Sequence, residues 1–86
     1  MHEMSLALEV CRIAEVQVGL EALPRVREIG VIVGEDSGVE PDALEFCLEA
    51  LLTQPPFSDA RPVLEHCSGD ELRVSYLEVE DDDSPN

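Results

Sequence analysis

The sequence has no tryptophan, one tyrosine and two phenylalanines among its 86 residues, so a hydrophobic core must be built mainly from aliphatic side chains. Cations are also scarce, because 20 aspartates and glutamates face 5 basic residues and leave a net charge of -15. Such a negative field repels nucleic-acid phosphates and anionic lipid surfaces. We therefore expect neither nucleic acid nor membranes as partners, and we expect cations or basic protein surfaces to be attracted.

The sequence also lacks the patterns that support catalysis. It has only two histidines, and it contains no nucleophile elbow, no phosphate-binding glycine loop and no dinucleotide fingerprint. Scattered carboxylates are typical of a solvated surface rather than of a general acid–base pair. We expect that the protein is not an enzyme.

Targeting segments and cysteine pairs are missing as well. The amino end is acidic and has no long apolar run, so we expect neither a signal peptide nor a membrane span. Cys11, Cys47 and Cys67 stand far apart, which predicts neither a disulfide framework nor a zinc site with paired ligands. These features favour a reducing, cytoplasmic location.

Hydrophobic periodicity predicts an α+β protein with the element order α-β-α-β-β. We expect two helices packed on one face of a small three-stranded sheet, as a two-layer structure. The predicted elements are a helix over 6–20 with Ser5 as its N-cap, a strand over 25–34, a helix from Pro41 to before Pro55, and strands over 62–66 and 71–80. Residues 1–80 are predicted to form one domain, and 81–86 an acidic flexible tail.

The strands carry three finer predictions. The first strand is apolar on both faces, which predicts a central position; Ile29, Val31 and Val33 are expected to point one way, and Val26, Gly30 and Ile32 the other. Residues 67–70 are typical of a hairpin turn between the last two strands. The apolar phase of the last strand changes between Val74 and Leu77, which predicts a β-bulge.

The amino end is the strongest candidate for chemistry. The amine of Met1, the backbone nitrogen of His2 and an imidazole nitrogen of His2 can close two fused rings on one metal ion. Roughly planar nitrogen ligation of this kind suits Ni(II) or Cu(II) better than Mg(II) or Ca(II). Glu3 offers a further donor, or it complements the positive end of the first helix. Because the nitrogen donors must be deprotonated, metal affinity should fall as the pH is lowered.

The residues that carry this motif also carry a family resemblance. The opening Met1–Ala7, together with 31–39, 41–46 and 69–80, resembles the HypA/HybF family of nickel metallochaperones, which serve [NiFe]-hydrogenase maturation and, in some bacteria, urease. The resemblance implies Ni(II) bound by Met1 and His2, with a HypB-type GTPase and a hydrogenase large-subunit precursor as partners. It also implies a role near the nickel for Glu40, whose alternative role is favourable charge at a helix start.

One departure from the family is large. Family members carry a zinc module with two Cys-x-x-Cys pairs between their last two strands, whereas here His66 and Cys67 run directly into Ser68 and Gly69. The chain therefore resembles the nickel-binding domain with the zinc module removed, and we expect no zinc.

Three alternatives remain open from the sequence. The chain can be an adaptor that docks on the maturation GTPase without carrying metal, or an acidic surface that buffers cations at many weak, salt-sensitive sites. His66 and Cys67 can form a second site for a soft metal, although neighbouring strand residues point to opposite faces. Cys11 and Cys47 are expected to be small core residues.

Overall fold

The computed structural model describes residues 3–80, and their architecture confirms the predicted α+β class. Helices α1 (Glu3–Val18) and α2 (Pro41–Leu52) pack against a mixed sheet. The strands are β1 (Val26–Gly34), β2 (Arg61–Cys67) and β3 (Leu72–Val79). A 3-10 helix, Leu20–Arg25, joins α1 to β1 and was not predicted. Neither α-helix of the described part has the length and apolar character needed to cross a bilayer.

Each α-helix follows from its apolar spacing and its ends. Helix α2 buries Leu44, Leu48 and Leu52 at every fourth position, and Pro41 occupies its first turn, where a missing N–H costs nothing. Helix α1 buries Ala7, Val10 and Ala14 and stops at Gly19, whose φ of 86° suits glycine.

Helix α1 begins earlier than the sequence predicted. Its first residue is Glu3, so Ser5 lies inside the helix rather than at its N-cap, and Glu3 belongs to the helix although the predicted range of 6–20 left it outside. A glutamate in the first turn is favoured by the helix dipole, and this explains the earlier start. Met1 and His2 lie outside the described residues, as do residues 81–86 of the predicted tail.

Strand β1 occupies the centre of the sheet, in the order β2-β1-β3, as its two apolar faces predicted. It pairs parallel with β2 and antiparallel with β3. The predicted hairpin between β2 and β3 is therefore wrong. Helix α2 returns the chain so that β2 lies parallel to β1 on one side of it. Strand β3 occupies the edge on the other side of β1, so residues 68–71 must cross the end of β1 to connect β2 with β3.

That crossing is held by backbone contacts. A Cβ on Gly34 would lie 2.4 Å from the carbonyl oxygen of Gly69 and 2.8 Å from the amide nitrogen of Glu71, so only glycine fits here. The amide nitrogens of Gly34, Glu35 and Asp36 donate to the carbonyls of Glu71, Cys67 and Gly69 at 2.6, 2.8 and 2.7 Å. The end of β1 is thus wrapped by the β2–β3 connection.

Two bulges adjust which side chains face the helices. Gly30 pairs with Tyr76 while Val31 pairs with Val74, so Ser75 is the extra residue and the predicted bulge is confirmed. A second shift between Val26 and Glu28 was not predicted. It places Val26 in the same buried core as Ile29, Val31 and Val33, so its assignment to the opposite face is wrong.

The core is aliphatic, as the scarcity of aromatic residues predicted. Leucine, isoleucine, valine and alanine side chains from α1, α2 and β1 fill it, and Phe57 is its one aromatic member among the described residues. Cys11 and Cys47 pack partly buried against this cluster, which confirms their structural role.

Candidate metal site at the paired helix N-termini

The amino ends of the two α-helices lie side by side. The backbone nitrogen of Glu40, the N-cap residue of α2, donates to Oε2 of Glu3 at 3.1 Å, across 37 residues of sequence. The structure therefore brings together Glu3 and Glu40, two of the four residues that were predicted to contact a metal. Met1 and His2, the other two, lie outside the described residues.

Glu40 also has a structural role in this arrangement. Its Oε1 accepts a hydrogen bond from the backbone nitrogen of Asp42 at 3.3 Å, which caps the first turn of α2. Its carbonyl accepts the first helical bond, from the nitrogen of Leu44, at 3.0 Å. The Glu40 side chain is exposed, so its carboxylate faces solvent while it caps the helix. The predicted alternative role at a helix start is thus present in the structure.

The turn before α2 fixes the position of Glu40 at the start of the helix. The hydroxyl of Ser37 donates to the carbonyl of Gly34 at 2.7 Å and accepts from the nitrogen of Val39 at 3.4 Å. Val39 is buried, and this anchors the residue directly before Glu40 to the core. Gly38 supplies a φ of 81° within this short turn.

Acidic side chains lie in the turn before α2 and at its start. Four ion pairs join side chains among residues 3–80, and none of them includes Glu35, Asp36, Glu40 or Asp42. An incoming cation therefore meets carboxylates that are not already neutralised by arginine.

Other carboxylates are committed elsewhere. A hydrogen bond from Arg12 holds the pKa of Glu9 below its usual value. Hydrogen bonds from Arg61 and then from Tyr76 do the same for the pKa of Glu28. These two carboxylates are engaged in surface ion pairs with Arg12 and Arg61.

The described residues do not form a complete metal site by themselves. Within residues 3–80 no group of three or more histidine, cysteine, aspartate or glutamate side chains is arranged to hold a metal ion. His66 and Cys67 pair with Val33 and Gly34 as consecutive strand residues, so in this part of the chain they make no second site. Burial raises the pKa of the Cys11 thiol, which keeps it protonated and a poor ligand.

Sequence reasoning missed how Glu3 and Glu40 are connected. It treated Glu3 as a ligand or a local complement to its own helix, whereas the structure makes it the acceptor for a second helix. No sequence signal identifies this contact, because it depends on the packing of α1 beside α2. Gly34 was likewise read only as the end of a strand.

Comparison with known families gives a match over most of the chain. A family model described as "Hydrogenase/urease nickel incorporation, metallochaperone, hypA" matches residues 1–70. That span includes α1, β1, α2, β2 and both glutamates of the candidate site.

Several curated proteins are similar to this chain. Hydrogenase maturation factor HypA of Chlorobaculum parvum is 37% identical over 67 residues, which is 78% of this chain and 59% of that protein. The protein of the same name from Geobacter metallireducens is 41% identical over 69 residues, 80% of this chain and 60% of that protein. This chain thus spans about six tenths of the length of these relatives.

A third relative aligns over its whole length. Hydrogenase maturation factor HypA of Geotalea uraniireducens is 31% identical over 113 positions, covering 93% of this chain and 100% of that protein. Because 113 aligned positions exceed the 86 residues of this chain, part of that relative has no counterpart here.

Proposed function

Since the chain belongs to the HypA family of hydrogenase and urease nickel-incorporation metallochaperones, we propose that it binds Ni(II) through its amino end and delivers the ion during [NiFe]-hydrogenase maturation. The observation that carries this proposal is the hydrogen bond between Glu40 N and the Glu3 carboxylate. It holds the start of α1, and with it the attachment point of Met1 and His2, against the N-cap of α2.

In this proposal the ion is cargo, held by an incomplete donor set. The Met1 amine and the backbone and imidazole nitrogens of His2 supply three roughly planar donors, and Glu3 or Glu40 supplies an auxiliary oxygen. A recipient protein completes the coordination and removes the ion. A cage of several buried ligands would bind more tightly but would release nickel more slowly.

The zinc module is proposed to be absent. The β2–β3 connection consists of four residues, 68–71, which cross the end of β1 and are too few to form a zinc module. The alignment with the Geotalea relative, which needs unpaired positions inside its span, is consistent with this. The three cysteines are free and separate, so we expect the chain to bind no zinc at the usual four-ligand site.

The proposed partners follow from the family. They are a HypB-type GTPase and the large-subunit precursor of a [NiFe]-hydrogenase, and the proposed setting is the cytoplasm. We propose a role in binding and transfer without catalysis, and without nucleic acid or membranes as partners, in agreement with the negative net charge.

The decisive experiment is a Ni(II) titration of untagged protein, with mass spectrometry confirming a free Met1 amine. We expect about one site, which tolerates added salt and weakens as the pH falls. His2→Ala and acetylation of the amine should each abolish it. His66→Ala is the matched control, because His66 is exposed, is the other histidine, and belongs to no group of three metal ligands within residues 3–80.

Each alternative function predicts a different titration. If His2→Ala binds nickel as well as the unchanged protein, the proposed chelate is wrong. If the protein binds no nickel but still binds the GTPase, the adaptor function is correct. Several weak sites that disappear with salt would indicate cation buffering by the acidic surface.

A further inference from the structure

The outer surface of the helix layer exposes an unusual amount of apolar side chain. Phe46 is 72% exposed on α2, and Leu8 and Met4 are 54% and 43% exposed on α1. Ala50, one turn after Phe46, is also exposed. We call Met4, Leu8, Phe46 and Ala50 the helix patch.

One half of the helix patch lies on each helix. Met4 and Leu8 are four residues apart and share one side of α1, as Phe46 and Ala50 share one side of α2. The contact between Glu3 and Glu40 aligns the two helix starts. Leu8 is five residues beyond Glu3, and Phe46 is six residues beyond Glu40. Because a helix rises about 1.5 Å per residue, the distances of Leu8 and Phe46 along their own helices from these two starting residues differ by only about 1.5 Å.

The flanks of the helices fix which way the patch faces. Leu6 and Ile13 of α1 line a groove against β3, and the 100° turn per residue places Met4 and Leu8 on the other flank, toward α2. Leu44 of α2 lines that same groove from the α1 side, whereas Glu49 lines a cleft against β2. Phe46 and Ala50 fall between these two flanks, on the outward side of α2.

The rim of the helix patch on α2 is acidic. Asp42 lies four residues before Phe46 and Glu45 directly before it, whereas Glu9 and Glu49 line clefts on other flanks. The one basic residue of the two helices is Arg12. Arg12 is paired with Glu9 at 3.1 Å, so its charge is already offset. An apolar centre with a negative rim complements an apolar stripe flanked by lysine or arginine.

We propose that the helix patch binds a basic amphipathic helix of another protein, its apolar stripe on Leu8 and Phe46 and its cations against the acidic rim. Aromatic and aliphatic anchors at the centre of a small interface provide most of the binding energy, and the rim charges provide orientation and rate. A second copy of this chain is disfavoured as the occupant, because two chains of charge -15 would place acidic rims against each other.

The test uses a synthetic helical peptide with leucine along one face and lysine elsewhere. Amide chemical-shift changes in the isotopically labelled protein should concentrate on α1 and α2 around the helix patch. Leu8→Ser and Phe46→Ser should each weaken binding about tenfold or more. Leu20→Ser is the matched control, because Leu20 is 58% exposed but lies in the 3-10 helix, and it should bind as the unchanged protein does.

Controls separate this surface from general charge attraction and from the nickel proposal. A peptide of the same composition with scrambled leucines should bind much more weakly; equal binding would overturn the proposal. Loss of binding in Leu20→Ser, or self-association of the chain through Leu8 and Phe46, would overturn it too. Leu8→Ser and Phe46→Ser should keep the urea midpoint and the nickel affinity of the unchanged protein, so either proposal can fail alone.

Discussion

The two ends of strand β1 are stabilised in different ways. At its carboxyl end, backbone amides of three consecutive residues donate to carbonyls of the β2–β3 connection. At its amino end, side chains do this work: Arg61 pairs with Glu28 at 2.8 Å, Tyr76 donates to the same carboxylate, and Arg27 pairs with Glu80. At the carboxyl end Glu71 pairs with Arg73, but Glu35 and Asp36 belong to none of the side-chain ion pairs within residues 3–80, so they remain available for a cation. Where carboxylates hold the structure, they are already paired.

The carboxyl end should be the more sensitive to a small change in volume. We expect Gly34→Ala to lower the free energy of unfolding by about 3 kcal/mol, because the added methyl would meet backbone atoms that cannot move aside. Urea denaturation measures this difference. Gly38→Ala is the control: its φ of 81° is strained but no atom lies within 4 Å, so it should cost only about 1 kcal/mol. Equal losses in the two variants would refute a backbone clamp at Gly34.

The N-cap of α2 should make a smaller contribution at the same end. Glu40→Ala removes the acceptor for Asp42 N and should cost about 1 kcal/mol. Glu40→Gln keeps an acceptor oxygen and should recover most of that stability. In nickel titrations Glu40→Gln should still bind more weakly, if the carboxylate is the proposed auxiliary donor. Glu35→Gln removes the same charge from the neighbouring turn and should leave both stability and nickel affinity unchanged.

The amino end of β1 should instead respond to pH. Arg61 and Tyr76 hold the pKa of Glu28 below its ordinary value of 4.5, so this group stabilises the fold above that pH. The stabilisation should be lost as the pH falls through the lowered pKa of the folded state. Glu28→Gln should be less stable than the unchanged protein at pH 7, and the difference should shrink in acid. Urea midpoints from pH 7 to pH 3 would contradict this if the difference stayed constant.

The smallest effect is expected from the tyrosine at that end. Tyr76→Phe removes one hydrogen bond to Glu28, whose pKa is affected more by Arg61 than by Tyr76. Its acid-dependent loss of stability should therefore have the same sign as that of Glu28→Gln but a smaller size. The ring still covers Gly30, so the sheet should be unchanged. A larger effect than that of Glu28→Gln would contradict this order, because the tyrosine hydroxyl would then contribute more than the carboxylate that it contacts.

Local sequence patterns predicted the helices and strands well, but they predicted less well which strands lie next to each other. The central position of β1 follows from its two apolar faces, and the bulge at Ser75 follows from the change of phase in β3. The hairpin prediction failed because a four-residue turn between strands has the same composition whether the strands are adjacent or separated by a third. Only the close approach that Gly34 permits distinguishes these cases, and that approach involves residues distant in sequence.

The candidate site shows the same division. Glu3 was selected from the terminal motif and Glu40 from the family resemblance, and both occur at helix N-termini in the structure. Their mutual contact was not predictable, because it joins residues 37 positions apart through the packing of two helices. Met1 and His2 lie outside the described residues, so their roles stay predictions for the titration.

The crossing of residues 68–71 over β1 has a consequence for engineering. The two strand ends that it joins are separated by two strand spacings, about 10 Å, which four residues can bridge. Lengthening a flexible connection costs only about 0.6 kcal/mol per doubling, provided here that the insert keeps the three backbone hydrogen bonds to the end of β1. This corner of the domain is therefore a natural graft point, where a foreign module could be inserted between two strands that already exit on opposite flanks of a third.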